Sequence, residues 1–535
     1  MATQRHNLKN LSKNPNFWLA VILFFAFLVR LIYFTQTTYQ AMWWDEAEYM
    51  SAAKHWGVGV PYQLNEQRPP IFQLLGAILI KFGLGESALK FMLSLLPSLV
   101  LVVATYYLGK ELFNSQIALI GALGAGFVWS LIFWSVRFQP DFFSVTLQIM
   151  AILFFWKFIK KPSRKAAIYT GLFCAAGFYF KISALLVPLC IGLFLLYKDG
   201  WKTIKDKNNW VILGAFLVGL IPFMIWQLIK FGNPFAFGVT YSGDFNEGRS
   251  LGWMIFNFFY SFKDASYSFP KLLFFLFFLS GIVIFLSKKL ISFDLVLKDK
   301  ALRSDGQTFS FIVLLVVSAF YLFYIRGTIE DRWVFIIIPF IFFFAGESII
   351  YIKNKIKDHS KIFSLLFLFL VIALFLFSQI SHANNLIKSK KDTYYPIKDS
   401  SLLIKENSNP SEKILSISYT QVTAYSEREV ITYSDMPLEN FTKILHEQRP
   451  SFMMVSLWEP HHPPWALQQV SNEEGYQGTL FPYFNSSIII SPQGQLVQYD
   501  VKNKISNEFA EFTLFYPVIP NEYNGVLVYK IEYKS

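Results

Sequence analysis

The sequence predicts a polytopic α-helical membrane protein with about 11 transmembrane helices and a C-terminal extracytoplasmic α/β domain. Of the 535 residues, 54% are hydrophobic and 16% are charged, whereas soluble globular proteins average about 25% charged residues. The apolar residues are concentrated in runs of ~20, the length that crosses the hydrocarbon core of a bilayer. This composition excludes a disordered chain, a disulfide scaffold and an ordinary cytosolic enzyme.

Apolar runs long enough to cross a bilayer follow one another through the first 380 residues. We predict spans near 16–35, 87–108, 116–134, 141–158, 167–181, 183–198, 210–229, 269–287, 309–325, 332–351 and 362–379. The region 167–198 is equally compatible with one long hairpin or a broken helix. The first run lacks a small-residue cleavage site, so it is predicted to be a retained anchor.

Basic residues alternate with the predicted spans and fix an orientation. Clusters of Lys and Arg precede the first span and follow the fourth, sixth, eighth and tenth. The positive-inside rule assigns those loops, with the N-terminus, to the cytoplasm of a plasma-membrane protein. The first outer loop (about 36–86) and residues 381–535 then lie outside. The net charge of +12 is explained by these loops, and no basic stripe or motif indicates nucleic-acid binding.

The composition changes near residue 380 and predicts two domains, a transmembrane catalytic domain over 1–380 and an extracytoplasmic α/β domain over 381–535. The second region mixes short β-like runs at 414–419, 452–456 and 487–491 with polar turns. Leu438–Gln448 reads as an amphipathic helix.

The first outer loop opens with the acidic stretch Trp43-Trp44-Asp45-Glu46-Ala47-Glu48-Tyr49. On a helix, Asp45 lies on the same side as Glu48 and Tyr49, and Glu46 is turned away by ~100°. Three carboxylates at the end of a span are compatible with a functional site. The alternative is a solvated loop with an aromatic belt at the headgroup level.

A second motif, Arg68-Pro69-Pro70-Ile71, follows Glu66 in the same loop. The proline pair fixes the backbone, aims Arg68 and opens a short interfacial helix. The alternative is a rigid loop whose arginine extends to the headgroups.

Together these two motifs resemble those of the GT-C membrane glycosyltransferases, with the protein O-mannosyltransferases and the lipid A aminoarabinose transferases as the most similar members. That family carries an Asp-Glu pair in its first outer loop and then a Lys/Arg/His-Pro-Pro-aliphatic motif. Here they correspond to Asp45-Glu46 and Arg68-Pro69-Pro70-Ile71. The resemblance covers roughly residues 16–350.

Three further segments match the family's pattern. Arg137 and Asp141 lie between the third and fourth predicted spans, where Asp141 is also compatible with a simple helix cap. Lys181 ends a Gly-x-x-x-Lys segment and, so close to lipid, is expected to have a buried partner. Asp331-Arg332 opens a late span.

The resemblance implies transfer of a sugar from a polyprenyl-phosphate-linked donor to a protein, lipid or glycan acceptor at the outer face, with inversion. It implies Asp45 as general base with Glu46 beside it. Cations close to the membrane surface would hold the lipid phosphate: Arg68, Arg137, Lys181 and Arg332. Substrate contacts are expected from Glu48, Tyr49, Glu66, Asp141 and Asp331. Such a reaction requires no cofactor, and a divalent metal is left open.

Three other functions are considered. An oligosaccharyltransferase-like enzyme is disfavoured because the outer domain has no Trp-Trp-Asp-Tyr-Gly block. A transporter or lipid flippase should carry ionisable residues within its spans and show repeat symmetry, whereas these charges cluster at one membrane face. A catalytically inactive sensor is disfavoured by the acidic pair and the four cations.

The segment 458–464 groups Glu459 with His461 and His462. Adjacent histidines rarely face one ion, and no third spaced ligand is evident. The sequence therefore favours an ordered loop over a metal site here.

Overall fold

The computed structural model describes residues 14–65, 68–239, 271–291, 298–323, 331–457, 459, 461–472, 474–492, 496–516 and 525–534. Glu66, predicted to contact substrate, lies outside the described residues.

Helices dominate the first 390 residues and continue between the strands that follow. They are α1 (Pro15–Thr37), α2 (Trp44–Val58), α3 (Ile71–Lys81), α4 (Glu86–Leu112, with a π-turn at Phe91–Leu95), α5 (Ser115–Phe127), α6 (Trp129–Ser135), α7 (Asp141–Lys160), α8 (Arg164–Phe178), α9 (Leu186–Asp199), α10 (Lys207–Phe231), α11 (Lys271–Ile291), α12 (Lys298–Phe323), α13 (Ile338–His359), α14 (Lys361–Lys390), α15 (Tyr395–Glu406), α16 (Tyr419–Ser426) and α17 (Leu438–Gln448). The short helix predicted after the proline pair is present as α3.

The predicted polytopic membrane architecture is confirmed. In the described part of the chain, 7 helices are long and apolar enough to cross a membrane, and the count becomes 8 if α5 and α6, bent by 49°, form one broken span. The remaining predicted spans coincide with α8, α11 and α12. At 15 residues, α8 is only ~22 Å long, shorter than a hydrocarbon core. The region 167–198 is a hairpin of α8 and α9. Tyr169 and Phe194 both pack at the last turns of α7, against Phe154 and Trp156, whereas Lys181 between the two helices pairs with Asp141 at its start.

The chain divides into two compact units. Unit 1 comprises residues 1–37, 65–72 and 86–389. Its helices approach closely through glycines. A Cβ at Gly121 would overlap the ring of Phe343, and one at Gly124 would overlap the ring of Phe342. Small residues of this kind allow close helix approach in lipid, where packing drives association.

A buried arginine stabilises the bend between α5 and α6 in unit 1. Arg30 of α1 is fully buried. Its guanidinium donates to the carbonyl oxygens of Gly126 at 2.6 Å and Ala125 at 3.2 Å, and its Nε donates to Ser98 Oγ at 2.9 Å. Helix ends leave carbonyls without intrahelical partners, so Arg30 satisfies groups that the bend exposes.

Unit 2 comprises residues 38–64, 73–85 and 390–535. Its main sheet has the order β2-β1-β3-β10-β9-β8, and a second antiparallel sheet has the order β4-β5-β6-β7. The strands are β1 (Lys413–Ser416), β2 (Glu429–Ile431), β3 (Phe452–Ser456), β4 (Gln468–Ser471), β5 (Gln477–Phe481), β6 (Ser486–Ile490), β7 (Leu496–Asp500), β8 (Lys504–Ser506), β9 (Ala510–Tyr516) and β10 (Val526–Tyr533). The predicted α/β domain is therefore present. The run 414–419 is strand only to Ser416, and Tyr419 begins α16.

Successive side chains of a strand point to opposite faces of the sheet. In the central strands β1 and β3 the side chains on both faces are buried. Strands β1 and β3 are parallel and register Ile414 with Phe452 and Leu415 with Met453. One face packs Phe452 against α15 and α16, and the other packs Met453 against α17. Helices on both faces are the usual environment of parallel strands.

Helix α2, from the first outer loop, packs against α16 within unit 2. Ser51 Oγ donates to the Thr420 carbonyl oxygen at 2.9 Å, and the ring of Trp44 meets that of Tyr419 edge-on at 5.1 Å. Lys54 Nζ lies 2.8 Å from Glu427 Oε1, just beyond the end of α16. These contacts fix the helix that carries the acidic stretch.

Candidate active site

The candidate site in unit 1 forms where α6 ends and α7 begins. Arg137 and Gln139 lie between the two helices, and both side chains are buried. The guanidinium of Arg137 lies 5.1 Å from the ring centroid of Phe133, one turn back in α6. An aromatic face attracts a cation at this distance, which holds the arginine close to the end of the helix.

Lys181 has the buried partner that its position predicted. Its ammonium forms an ion pair with the carboxylate of Asp141, whose side chain is 2% exposed while that of Lys181 is 24% exposed. Asp141 begins α7 after Pro140, and Lys181 lies in extended backbone after α8. A contact between Ser144 Oγ and the Gly177 carbonyl oxygen at 3.0 Å joins the same two helices. Asp141 is thus more than a helix cap.

Arg332 and Asp331 reach the same region from the 3₁₀ helix Asp331–Ile337. Arg332 Nη1 donates to Gln139 Oε1 at 3.0 Å, and its guanidinium lies 5.0 Å from the ring centroid of Trp134. Asp331 accepts hydrogen bonds from Trp134 Nε1. The two predicted residues therefore meet the segment that carries Arg137 and Asp141.

Phe72, four residues after Arg68, packs against this region. The fully buried Phe72, at the start of α3, packs against the fully buried Phe138 with ring centroids 4.7 Å apart. Pro69 and Pro70 are buried and Arg68 is half-buried. The proline pair is therefore followed, two residues later, by a side chain that packs in the core against the loop between α6 and α7.

Charged groups of both signs meet in this region. Arg137, Lys181 and Arg332 contribute three cations, and Asp141 and Asp331 contribute two carboxylates. A low effective dielectric strengthens the attraction between such cations and a phosphate.

The acidic stretch lies in unit 2, on the first turns of α2. Glu46 is fully buried, and its Oε2 accepts the backbone N–H of Trp43 at 2.9 Å, which stabilises the start of the helix. Glu48 and Tyr49 are also buried, whereas Asp45 is half-buried. Asp45 is thus the most accessible carboxylate of the three.

The structure groups the predicted residues of unit 1 around the junction of α6 and α7, and those of unit 2 on α2. Trp134 and Gln139 contribute to the unit 1 cluster, and the sequence analysis did not single out either. An indole within an apolar run and an amide within a loop carry no local pattern. A search for polar side chains flanking Arg137 would have found Gln139.

A further polar cluster in unit 2 lies at the carboxyl ends of β1 and β3. Ser418 Oγ lies 2.9 Å from Ser456 Oγ and donates to Glu459 Oε1 at 3.1 Å. His462 Nε2 donates to the Ser456 carbonyl oxygen at 2.7 Å. Burial raises the pKa of Glu459 despite the hydrogen bond from Ser418, and burial lowers the pKa of His462 to about 4 despite its bond to Ser456. These bonds order the described residues of the loop.

Comparison with known families gave one match. Residues 67–226, which include Arg68, Arg137, Asp141 and Lys181, match the family model described as dolichyl-phosphate-mannose-protein mannosyltransferase. A comparison with curated proteins gave no match.

Several solved structures share the fold. The oligosaccharyltransferase of Archaeoglobus fulgidus, solved with Zn and sulfate, is 13% identical with a TM-score of 0.55, over 90% of this chain and 73% of that chain. The same organism's AglB, in complex with an inhibitory peptide and a dolichol-phosphate, is 13% identical with a TM-score of 0.56, over 89% and 76%. ArnT from Cupriavidus metallidurans, bound to undecaprenyl phosphate, is 12% identical with a TM-score of 0.57, over 82% and 93%.

The fold is that of the GT-C membrane glycosyltransferases. The resemblance to their mannosyltransferase and ArnT-like members, predicted from the two loop motifs, is confirmed by the family match and the shared fold. The apolar helices and these matches indicate an integral membrane protein, and they support transferase activity of the GT-C type.

Proposed function

We propose that this protein transfers a sugar from a polyprenyl-phosphate-linked donor to a hydroxyl- or amine-bearing acceptor at the outer face of the plasma membrane. The observation that carries the proposal is the grouping of Arg137, Lys181 and Arg332 around the junction of α6 and α7. Arg137 and Lys181 fall within the segment that matches the mannosyltransferase model, and Phe72 brings the start of α3 to the same region. The lipid-bound neighbours support a phosphate-bearing carrier.

The cations would act on the leaving group. As the bond between the anomeric carbon and the phosphate oxygen breaks, the electron pair stays on the polyprenyl phosphate. Preorganised positive charge stabilises the charge that develops there. Arg332, held by Gln139 and Trp134, and Arg137, held over Phe133, are already oriented, so little reorganisation is required. Arg68 would complete the phosphate contacts from the segment before α3.

Asp45 would take the acceptor proton. A carboxylate in the first turn of a helix is stabilised in its ionised form by the helix dipole, and Asp45 is the accessible carboxylate of α2. The acceptor oxygen or nitrogen forms the new bond to the anomeric carbon as its proton passes to Asp45. Attack opposite the leaving phosphate inverts the anomeric centre. Glu46 would stabilise the start of α2 through its hydrogen bond with Trp43. Glu48 and Tyr49 would contact the acceptor.

The basic loops support an N-terminus in the cytoplasm and a C-terminal domain outside. A membrane-impermeant thiol reagent applied to intact cells is expected to label Asn409→Cys and leave Lys202→Cys unlabelled. The reverse pattern would overturn the orientation.

A transfer assay tests the reaction. Full-length protein in lipid nanodiscs is given radiolabelled polyprenyl-phosphate sugars with membrane extract as acceptor source. Wild type should release free polyprenyl phosphate, and Asp45→Asn should lose about 10²-fold or more in rate, as removal of a general base does. Asp358→Asn, on the exposed last turn of α13, is the matched control and should retain activity. Release by Asp45→Asn at the wild-type rate would refute the base assignment, and absence of release from folded wild type with every donor would refute the reaction.

A further inference from the structure

A second cation-rich site lies at the opposite end of α7 from Asp141. A cavity of about 420 Å³ opens between the last turns of α7 and the first turns of α8. Its lining consists of Phe154, Lys157, Lys160, Lys161, Ser163, Lys165, Ala166 and Tyr169. Because α7 has 20 residues, its two ends are ~30 Å apart. The cavity is therefore about one hydrocarbon thickness away from the Asp141–Lys181 pair.

The charge of this cavity is largely uncompensated. Lys160 is paired with Glu111, at 2.8 Å between Nζ and Oε2. Within the described ranges, no carboxylate lies within 4.0 Å of Lys157, Lys161 or Lys165. Three lysines therefore line one cavity without a carboxylate of the described chain within 4.0 Å, and a bound anion would be attracted to all three.

The remaining walls are aromatic. Phe154 stacks on Phe173 with ring centroids 5.3 Å apart and contacts Tyr169 at 5.1 Å. The ammonium of Lys157 lies 5.1 Å from the Phe154 ring centroid, and that of Lys165 lies 5.7 Å from the Tyr169 ring centroid. The cations thus border an apolar surface, which suits a ligand with a charged head and a hydrocarbon body.

The start of α8 adds hydrogen-bond donors. Ser163 caps the helix, its Oγ accepting the backbone N–H of Ala166 at 3.2 Å. The other N–H groups of a first helical turn have no intrahelical acceptor and favour anions. Together with the three lysines, they form an anion site beside a lipid-facing aromatic wall.

We propose that this cavity binds the phosphate headgroup of an anionic phospholipid, with Lys157, Lys161 and Lys165 around the phosphate and the acyl chains against Phe154 and Phe173. Basic pockets between transmembrane helices bind anionic lipid headgroups in this way. Lysines that serve only to orient the chain need neither a shared cavity nor an aromatic wall. The site is distinct from the sugar-donor phosphate site, because the two lie at opposite ends of α7.

Native mass spectrometry of the full-length protein, titrated with phosphatidylglycerol or phosphatidylcholine, tests the proposal. Wild type should retain phosphatidylglycerol in preference to phosphatidylcholine. The triple variant Lys157→Gln/Lys161→Gln/Lys165→Gln should bind phosphatidylglycerol on the order of 100-fold more weakly, at about fivefold per lysine. The matched variant Lys355→Gln/Lys357→Gln/Lys361→Gln removes three exposed lysines outside the cavity and should bind as wild type does.

Equal losses in the two triple variants would overturn the proposal in favour of non-specific surface charge. Displacement of the lipid from wild type by millimolar inorganic phosphate would overturn it in favour of a free-phosphate site. Equal retention of the two lipids by wild type would overturn it even if the cavity variant fails to fold.

Discussion

Trp134 Nε1 donates to both carboxylate oxygens of Asp331, at 3.0 Å each, while the guanidinium of the adjacent Arg332 lies over the same indole. The Trp134 side chain thus contacts a carboxylate and a guanidinium that are adjacent in sequence. Asp331 is bound to the indole and Arg332 to Gln139, so both side chains are held in place. In the proposed reaction Arg332 contacts the phosphate of the sugar donor.

Trp134→Phe keeps an aromatic ring under Arg332 and removes the N–H that holds Asp331. The released carboxylate is expected to pair with Arg332 and compete with the donor phosphate. Loss of a hydrogen bond to a charged group corresponds to roughly a tenfold change in binding. We therefore expect KM for the lipid-linked sugar to rise about tenfold with kcat little changed.

The control is Trp156→Phe, at the far end of α7, where Nε1 donates to the Glu111 carbonyl oxygen at 3.1 Å. It removes a similar hydrogen bond and should leave KM unchanged. If both variants raise KM equally, the effect is one of general helix packing, and the role assigned to Trp134 is wrong.

The buried ion pair between Lys181 and Asp141 should show strong coupling in a double-mutant cycle. Lys181→Met leaves the Asp141 carboxylate buried without its partner, which costs about 3 kcal/mol or more. Asp141→Asn combined with Lys181→Met removes both charges and should recover at least half of that loss. Thermal unfolding in detergent measures Asp141→Asn, Lys181→Met and the double variant against wild type. Additive losses would show that the pair does not interact as the structure indicates.

Glu427 should stabilise unit 2 through two lysines. Its carboxylate binds Lys54 of α2 at 2.8 Å and Lys405 of α15 at 2.7 Å. Partial burial would raise the pKa of Glu427, but the hydrogen bonds from Lys405 and Lys54 outweigh burial and lower it. The stabilisation is therefore present above the carboxyl's ordinary pKa and is lost as pH falls through the lowered value.

We expect Glu427→Gln to cost roughly 1–2 kcal/mol at neutral pH and to weaken acid destabilisation. Glu429→Gln provides the comparison, because Glu429 also pairs with a lysine, at 3.0 Å, but its side chain is 47% exposed. Melting temperatures between pH 7 and pH 3 measure both. A loss from Glu429→Gln as large as that from Glu427→Gln would contradict the importance of burial.

His462 should make unit 2 sensitive to mild acid. Its imidazole takes up a proton only near pH 4 in the folded chain and near pH 6.5 in the unfolded chain. As pH falls between these values, the unfolded state binds the proton first, so stability decreases by up to about 3 kcal/mol. The raised pKa of Glu459 acts in the opposite sense, and only a variant of His462 isolates its effect.

His462→Gln retains a donor for the Ser456 carbonyl and no longer titrates. Its melting temperature should fall less than that of wild type between pH 6.5 and pH 4. His461→Gln, at a side chain that is 67% exposed, should follow wild type. Parallel curves for wild type and His462→Gln would show that the imidazole titrates normally.

The sequence was sufficient to predict the helices and the membrane class, because a run of ~20 apolar residues is a local signal. It predicted the charged residues that meet in unit 1, namely Arg137, Asp141, Lys181, Asp331 and Arg332, since charged residues beside apolar runs stand out. The bend between α5 and α6 was missed, because 116–134 is one continuous apolar run and the group that stabilises the bend lies in α1.

Contacts between segments that are distant in sequence could not be predicted from one sequence. Helix α2 packs on α16 through Ser51 and Thr420, more than 300 positions apart, and neither residue has an unusual local context. Trp134 was likewise indistinguishable from the many aromatics that serve only to pack helices. These parts of the fold and site depend on tertiary packing, which no local pattern encodes.

Arg30 makes the first helix more than a hydrophobic anchor. An unrelated membrane anchor in its place would deliver the polypeptide to the bilayer but leave the carbonyls of Ala125 and Gly126 without their donor in a medium that offers no water. The bend that leads through α6 toward Arg137 would lose its support. Fusion proteins that exchange this segment for a generic signal anchor should therefore insert normally and yet assemble a defective candidate site. Membrane insertion alone is then a poor measure of correct folding.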